Sequence, residues 1–275
     1  MSARLASRFA ALKREGRAGL VAYVMASDPD HETCFEILRG LPAAGADVIE
    51  LGFPFTDPMA DGPSVQKAAL RALKAGGSLK QSLELARRFR ETNTDTPLIL
   101  MGYANPIESM GYEAFAMAMA ASGADGAIVV DLPPEEDAPL RAAFTTNGLS
   151  IIRLATPTTD DQRLTKVLDG ASGFLYYVSV AGVTGANAAT AAQVRTAVER
   201  LKRATALPIA VGFGVREPEA ARAIAVNADA VVVGSAIVDE ITAGPAPQAV
   251  ERVLRKVAQL SEAVRSAREL EGTPA

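Results

Sequence analysis

Glu50, Asp57 and Asp61 fall in one short stretch, Asp47 to Gln66, which begins as an apolar β-rich run and then breaks at Pro54, Pro58, Gly62 and Pro63. A carboxylate inside an apolar run costs on the order of several kcal/mol unless it is paired or used, so Glu50 needs a reason to be there. Two readings are open. In one, Glu50 is a salt-bridged strand residue and the aspartates are ordinary turn residues, for which Asp is favoured. In the other, a rigid loop at the strand's end brings Glu50 and Asp61 to face one small volume, where two carboxyls in different environments divide into an acid and a base.

Other reactive groups narrow the chemistry by where they stand. Lys13, Lys67, Lys74, Lys80, Lys166, Lys202 and Lys256 all fall in segments that read as helices, which disfavours a Schiff-base lysine at a strand end. His31 is the only histidine and opens a helix, so a Ser-His-Asp triad or a histidine metal site is not expected, and no metal site is assigned. The carboxylates remain, with Tyr176 and Tyr103 as supporting hydroxyls, though both read more readily as wall or core residues; Tyr176, near the sixth strand's end, is within reach of a pocket. Glycine is concentrated late in the chain, at Gly182, Gly185, Gly212, Gly214 and Gly234 before Ser235. Taken together these predict a backbone-lined anion site, because glycine lets N–H groups approach a phosphate; taken singly each is a turn residue.

The elements that would carry these groups alternate regularly. After a helix over 1–16, with Leu5, Phe9 and Leu12 on one face, apolar runs at 19–26, 47–52, 97–102, 126–130, 149–155, 173–179, 207–212 and 229–234 read as strands. Helices are predicted at about 31–44, 64–75, 78–92, 111–122, 135–146, 160–169, 188–204, 217–226 and 246–268. Short continuous apolar runs separated by helices are what a parallel sheet covered on its outer face requires. Eight of them predict a closed (β/α)8 TIM barrel formed as a single domain over 1–275, with the N-terminal helix outside or below it and a frayed tail at 271–275. A doubly wound open sheet is the alternative. In a barrel, chemistry belongs at the C-terminal strand ends, which is where the carboxylates and the glycines fall.

Composition bounds the rest. The chain has 275 residues, 49% of them hydrophobic, enough for one large core, and a formal charge of −4 with Lys and Arg scattered. No nucleic-acid partner is expected from that distribution. One cysteine, Cys34, permits no intrachain disulfide and fits a reducing, cytoplasmic location. Residues 1–16 lack a continuous apolar run and no stretch is long and apolar enough to span a bilayer, so neither a signal peptide nor a membrane role is expected.

The block Glu50 to Pro63 with Gln66, joined by Asp28-Pro29, Met101 to Ile107, Asp131 to Pro133, Gly182 to Gly185, Gly212 to Gly214 and Gly234 to Ile237, resembles the tryptophan synthase α-subunit family over nearly the whole chain. Ser27 stands where Gly is usual, and Met25 where a small polar residue is common. The resemblance implies retro-aldol cleavage of indole-3-glycerol phosphate to indole and glyceraldehyde 3-phosphate. It implies that Glu50 protonates indole C3 and handles the glycerol hydroxyl proton, that Asp61 holds the indole N–H and stabilises the cation, and that Tyr176 assists. It places the phosphate on Gly185, Gly214, Gly234 and Ser235, and the indole against Tyr23, Leu100 and Leu132. The loop after the second strand and the one from Gly182 to Ala192, rich in Ala, Thr and Gly, read as mobile lids, and the resemblance implies that they answer to a tryptophan synthase β subunit in an αββα heterotetramer. That subunit would face Pro54, Phe55, Asp57, Pro58, Asn105, Pro106 and Ile107 and carry the pyridoxal phosphate, this chain needing no cofactor of its own. A free-standing lyase that releases indole is the alternative. An indole-3-glycerol phosphate synthase or a phosphoribosyl isomerase conflicts with the intact Glu50/Asp61 block, and the former also with the missing strand-end lysine. A scaffold kept only to activate its partner would predict loss of Glu50 or Asp61.

Overall fold

The computed structural model describes residues 2–179, 190–212 and 214–268. Helix α1, Ala3–Arg14, precedes a parallel sheet whose strands are β1 Gly19–Met25, β2 Val48–Gly52, β3 Leu98–Gly102, β4 Gly126–Val129, β5 Ser150–Ile151, β6 Arg153–Ala155, β7 Leu175–Val178, β8 Ile209–Gly212 and β9 Ala230–Val233. Their order is β5-β4-β3-β2-β1-β9-β8-β7-β6, every pairing parallel. The two ends of that order are one expected strand, 149–155, interrupted at Ile152. Its N–H still donates to Ala127 O at 3.0 Å, so the strand bridges β4 on one side and β7 on the other. The sheet closes on itself as a (β/α)8 TIM barrel, and closure removes the edges an open sheet would have to protect.

Outside it run α2 His31–Gly40, α3 Pro63–Lys74, α4 Leu79–Thr92, α5 Ala104–Met110, α6 Tyr112–Ser122, α7 Ala138–Thr146, α8 Asp161–Leu168, α9 Ala191–Ala204, α10 Pro218–Ala225, α11 Ser235–Glu240 and α12 Ala249–Arg265, the last preceded by a 3-10 turn at Ala246–Gln248. Helix α5 is not foreseen from the sequence, which predicts a helix here only from about 111. Proline is tolerated in a helix's first turn, where its missing N–H would have had no partner. The Ala104 N–H there donates instead to Asp131 Oδ1 at 2.8 Å. All seven lysines sit in helices, as expected.

Strand alternation sorts side chains into two layers. Val21, Val48, Ile99, Ile128, Ile152, Phe174, Ala210 and Ala230 point into the barrel, while Leu20, Ile49, Leu98, Leu100, Leu175, Ile209 and Val231 pack under the helices. Helix α1 lies below the barrel and plugs its N-terminal end: Leu5, Phe9 and Leu12 join the inner cluster, with the Phe9 and Phe174 rings 5.6 Å apart.

One polar device recurs at this lower end. Asp47, Asp125 and Asp229 each precede a strand and accept the first free N–H of the neighbouring strand, from Leu20 at 3.0 Å, Leu98 at 2.9 Å and Ile209 at 2.8 Å. Each also carries a cation: Arg17 binds Asp47 through two bonds of 2.9 Å, Arg4 binds Asp125 at 2.9 Å, and Lys202 binds Asp229 at 2.9 Å. A buried carboxylate is tolerable only when so saturated. The contrast with Glu50 at the opposite end identifies which acid is not structural.

Candidate active site

The C-terminal strand ends open into a cavity of about 400 Å³. Glu50 stands inside the barrel on β2, level with Tyr23 of β1 and Ile99 of β3, and is 1% exposed. It has no ion pair, and its Oε2 has no hydrogen-bond partner among the described residues. The salt-bridge reading therefore fails for Glu50. Burial, and next the nearby Asp61 charge, push its carboxyl up to about 8. Asp61 lies in the loop from β2 to α3, half-buried in the same cavity wall. Burial raises it to about 6, against the opposing pull of the Tyr103 hydroxyl. Near neutrality Glu50 keeps its proton and Asp61 has lost its own, so one cavity holds an acid and an acceptor.

The loop is fixed at several points. The Asp61 N–H donates to Pro58 O at 3.1 Å, Gln66 Nε2 donates to Asp61 O at 2.9 Å, and the Ala60 N–H donates to the Tyr103 hydroxyl at 3.0 Å. The Tyr103 ring also lies 5.5 Å from that of Phe55. Pro63 starts α3 immediately afterwards with its φ already helical. That helix is tied down by Arg71, whose guanidinium takes both Asp28 oxygens at 2.7 and 2.8 Å; Asp28 is buried at the end of β1. Asp28 and Arg71 thus serve to seat the helix that follows Asp61. Arg71 was not singled out in the sequence, because an arginine on a helix reads as a solvated face.

Tyr23 and Tyr176 both line the cavity, each leaning over a glycine of the next strand: a Cβ on Gly52 would meet the Tyr23 hydroxyl at 2.3 Å, and one on Gly212 the Tyr176 hydroxyl at 2.6 Å. Burial first, and then carboxylate charge nearby, raise both phenols well above their ordinary value, so both remain hydrogen-bond donors. Gly214, Gly234 and Ser235 lie on the far rim of the same cavity, Gly214 in the left-handed region at φ 80°. Gly185, with Gly182 and most of the second expected lid, lies in 180–189, outside the described residues, as does the tail 271–275.

Several expected positions are corrected. Leu100 is fully buried but belongs to the outer layer under the helices; with side chains alternating along β3, Met101 is the residue that faces the cavity. Leu132 packs against the outer core, and Val130 faces the cavity in its stead. Leu154, Thr156, Val178 and Val232 complete the inner wall, one step or two beyond strand residues of inward parity. Among the positions expected to face a partner, Phe55, Asp57, Pro58, Asn105 and Pro106 are partly or fully exposed, near Met59 at 74% exposure. Pro54 and Ile107 are buried. Pro54 abuts Gly77, and Ile107 turns the inner face of α5 into the core. No group of His, Cys, Asp and Glu side chains that would hold a metal ion occurs among the described residues.

A closed (β/α)8 barrel with two carboxyls of different surroundings in a cavity at the C-terminal strand ends, and a glycine-edged rim opposite, has the layout of a TIM-barrel enzyme. Comparison with known proteins places it more narrowly. The chain belongs to the tryptophan synthase alpha chain family, matching it over residues 9–269, and is a lyase. It is 58% identical over 267 residues to the tryptophan synthase alpha chain of Caulobacter sp. (strain K31), an overlap of 96% of this chain and 97% of that one, and equally similar to that of Caulobacter vibrioides. Among solved structures, the tryptophan synthase subunit alpha of Legionella pneumophila str. Paris superimposes with a TM-score of 0.89 at 38% identity, covering 96% of this chain and 98% of the other. A chain of Mycobacterium tuberculosis tryptophan synthase matches with a TM-score of 0.88 at 32% identity, covering 96% of this chain and 99% of that one. No described helix is long and apolar enough to cross a membrane.

Proposed function

We propose that the chain cleaves indole-3-glycerol phosphate to indole and glyceraldehyde 3-phosphate, with Glu50 and Asp61 as the working pair. The observation that carries the roles is the split between them: a buried, unpaired Glu50 held near 8 beside an Asp61 held near 6. Protonated Glu50 delivers its proton to indole C3, which turns the ring into an indolenine cation able to accept the electrons of the breaking C–C bond. Asp61, ionised, accepts the indole N–H and stabilises that cation. Glu50, now a carboxylate, removes the proton from the glycerol hydroxyl as the bond breaks and the aldehyde forms, so it ends as it began. Positioned proton transfer of this kind is worth roughly 10²–10⁴ in rate. Tyr176 donates to the substrate's side-chain oxygens. Tyr23 and Met101 form the apolar wall for the ring, and the phosphate rests on the rim of Gly214, Gly234 and Ser235; Gly185, outside the described residues, is kept as a phosphate-binding residue on the family resemblance alone. The reaction needs no cofactor in this chain.

We further infer a cytoplasmic αββα assembly in which indole passes to a pyridoxal phosphate-dependent β subunit. The exposed Met59 and the partly exposed Phe55 and Pro58 beside the cavity mouth support that face. The test is indole release from indole-3-glycerol phosphate by the purified chain, alone and with a β subunit, alongside Glu50→Gln and Asp61→Asn. Weak activity alone, a large rise with β and collapse in both variants is expected. Strong activity unaffected by β would favour a free-standing lyase, and absence of activity under every condition would overturn the assignment.

A further inference from the structure

Among the described residues lining the cavity, two side chains are acids, Glu50 and Asp61, and one is a cation, Arg216. It follows Gly214 by two residues, so the left-handed turn at that glycine brings it to the rim shared with Gly234 and Ser235. Its Nη2 donates to Asp239 Oδ2 at 2.5 Å, and its other N–H groups have no partner among the described residues. Asp239 lies four residues, about one turn, beyond Ser235 on α11, so the ion pair spans the edge of the rim.

A phosphate dianion arriving here adds two negative charges to a mouth that already holds the Asp61 carboxyl and the Asp239 side chain paired with Arg216. Backbone N–H groups supply only partial charges against it. A guanidinium has five donors in a planar fork and can bind two acceptors at once, one on each edge. We propose that Arg216 is a specificity-determining binding residue that takes the substrate's phosphate, and that Asp239 holds the guanidinium in place while competing for it. This rests on the reading of the site as one for a phosphorylated substrate. The ion pair is 55% exposed on the arginine side, so solvent screening limits its contribution.

The experiment is steady-state kinetics of the full chain on indole-3-glycerol phosphate, with inorganic phosphate as competitive inhibitor, for the unaltered protein, Arg216→Gln and Asp239→Asn. Arg216→Gln is expected to raise KM and the phosphate inhibition constant about tenfold, the lower range for a charge-assisted hydrogen bond, while kcat changes far less. Asp239→Asn is expected to lower both constants, because it frees the guanidinium from its competitor. The KM of the unaltered chain should also rise more steeply with salt than that of Arg216→Gln. A purely structural ion pair would make the two variants behave alike, and that result would overturn the proposal. So would an unchanged KM in Arg216→Gln, leaving the reading of the site intact as long as the unaltered chain cleaves substrate and is inhibited by phosphate. If the unaltered chain does neither, both fall.

Discussion

Replacing Glu50 by Gln should stabilise the protein while abolishing its chemistry, and the gain should depend on pH. In the fold the carboxyl is held near 8 against an ordinary 4.5, mainly by burial. The folded state therefore favours the protonated form. Below about pH 4.5 folded and unfolded chains both carry the proton and the site costs nothing. As pH rises the unfolded chain ionises freely while the folded one resists, and stability falls until the pH passes the folded value. At about 1.4 kcal/mol per pH unit the penalty is about 3 kcal/mol at pH 7 and levels off at about 5 kcal/mol beyond pH 8. Gln has nearly the same shape and nothing to ionise, so it escapes the penalty. For a chain of this size, with roughly 2–3 °C per kcal/mol, the variant should melt about 6–9 °C above the parent at pH 7. The two should melt together near pH 4.5. Melting followed by circular dichroism across pH 4.5–8.5 measures the difference, and indole release measures the loss, expected to be at least about 10²-fold. A melting difference that stays flat with pH would refute the reasoning, for it would mean that Glu50 is not held protonated by burial.

The same pair predicts a bell-shaped kcat/KM profile for the unaltered chain, rising as Asp61 ionises near 6 and falling as Glu50 loses its proton near 8; a profile with neither limb in that range would contradict the assigned roles. Tyr103→Phe removes the hydroxyl that holds Asp61 down, so the acid limb should move to higher pH, read from the same profile. Arg71→Ala leaves the buried Asp28 carboxylate without its partner and should cost about 3 kcal/mol of stability, with reduced activity as α3 loosens beneath Asp61; an unchanged melting temperature would show that the pair does not anchor the helix. Gly52→Ala puts a Cβ 2.3 Å from the Tyr23 hydroxyl, so it should displace that ring and raise KM, whereas an unaltered KM would mean that Tyr23 does not form the ring's wall.

Periodicity was enough to determine much of this protein. Eight apolar runs with helices between them specify a covered parallel sheet because each run is buried on both faces, and runs of that kind need no tertiary information to be recognised; their number favoured a barrel, but closure itself came from the fold. The misplaced charge of Glu50 could be read for the same reason: an unpaired acid in an apolar run is costly wherever it lies. The fixed loop from Pro54 to Pro63 likewise announces itself by its proline and glycine. What the sequence alone did not decide was direction and neighbourhood. Leu100 and Met101 are both apolar residues of β3, and only the pleat, which sends one outward and the next inward, tells them apart. Pro54 and Ile107 look like their exposed neighbours until Gly77 packs against the first and α5 turns the second into the core. Asp47, Asp125 and Asp229 are carboxyl side chains like Glu50; each is structural because strand register brings an N–H and a cation to it, while Glu50 meets neither among the described residues. A carboxyl's role follows from its surroundings, and those are assembled from segments far apart in the chain, which is why Arg71 and Arg216 acquired meaning only in the folded barrel.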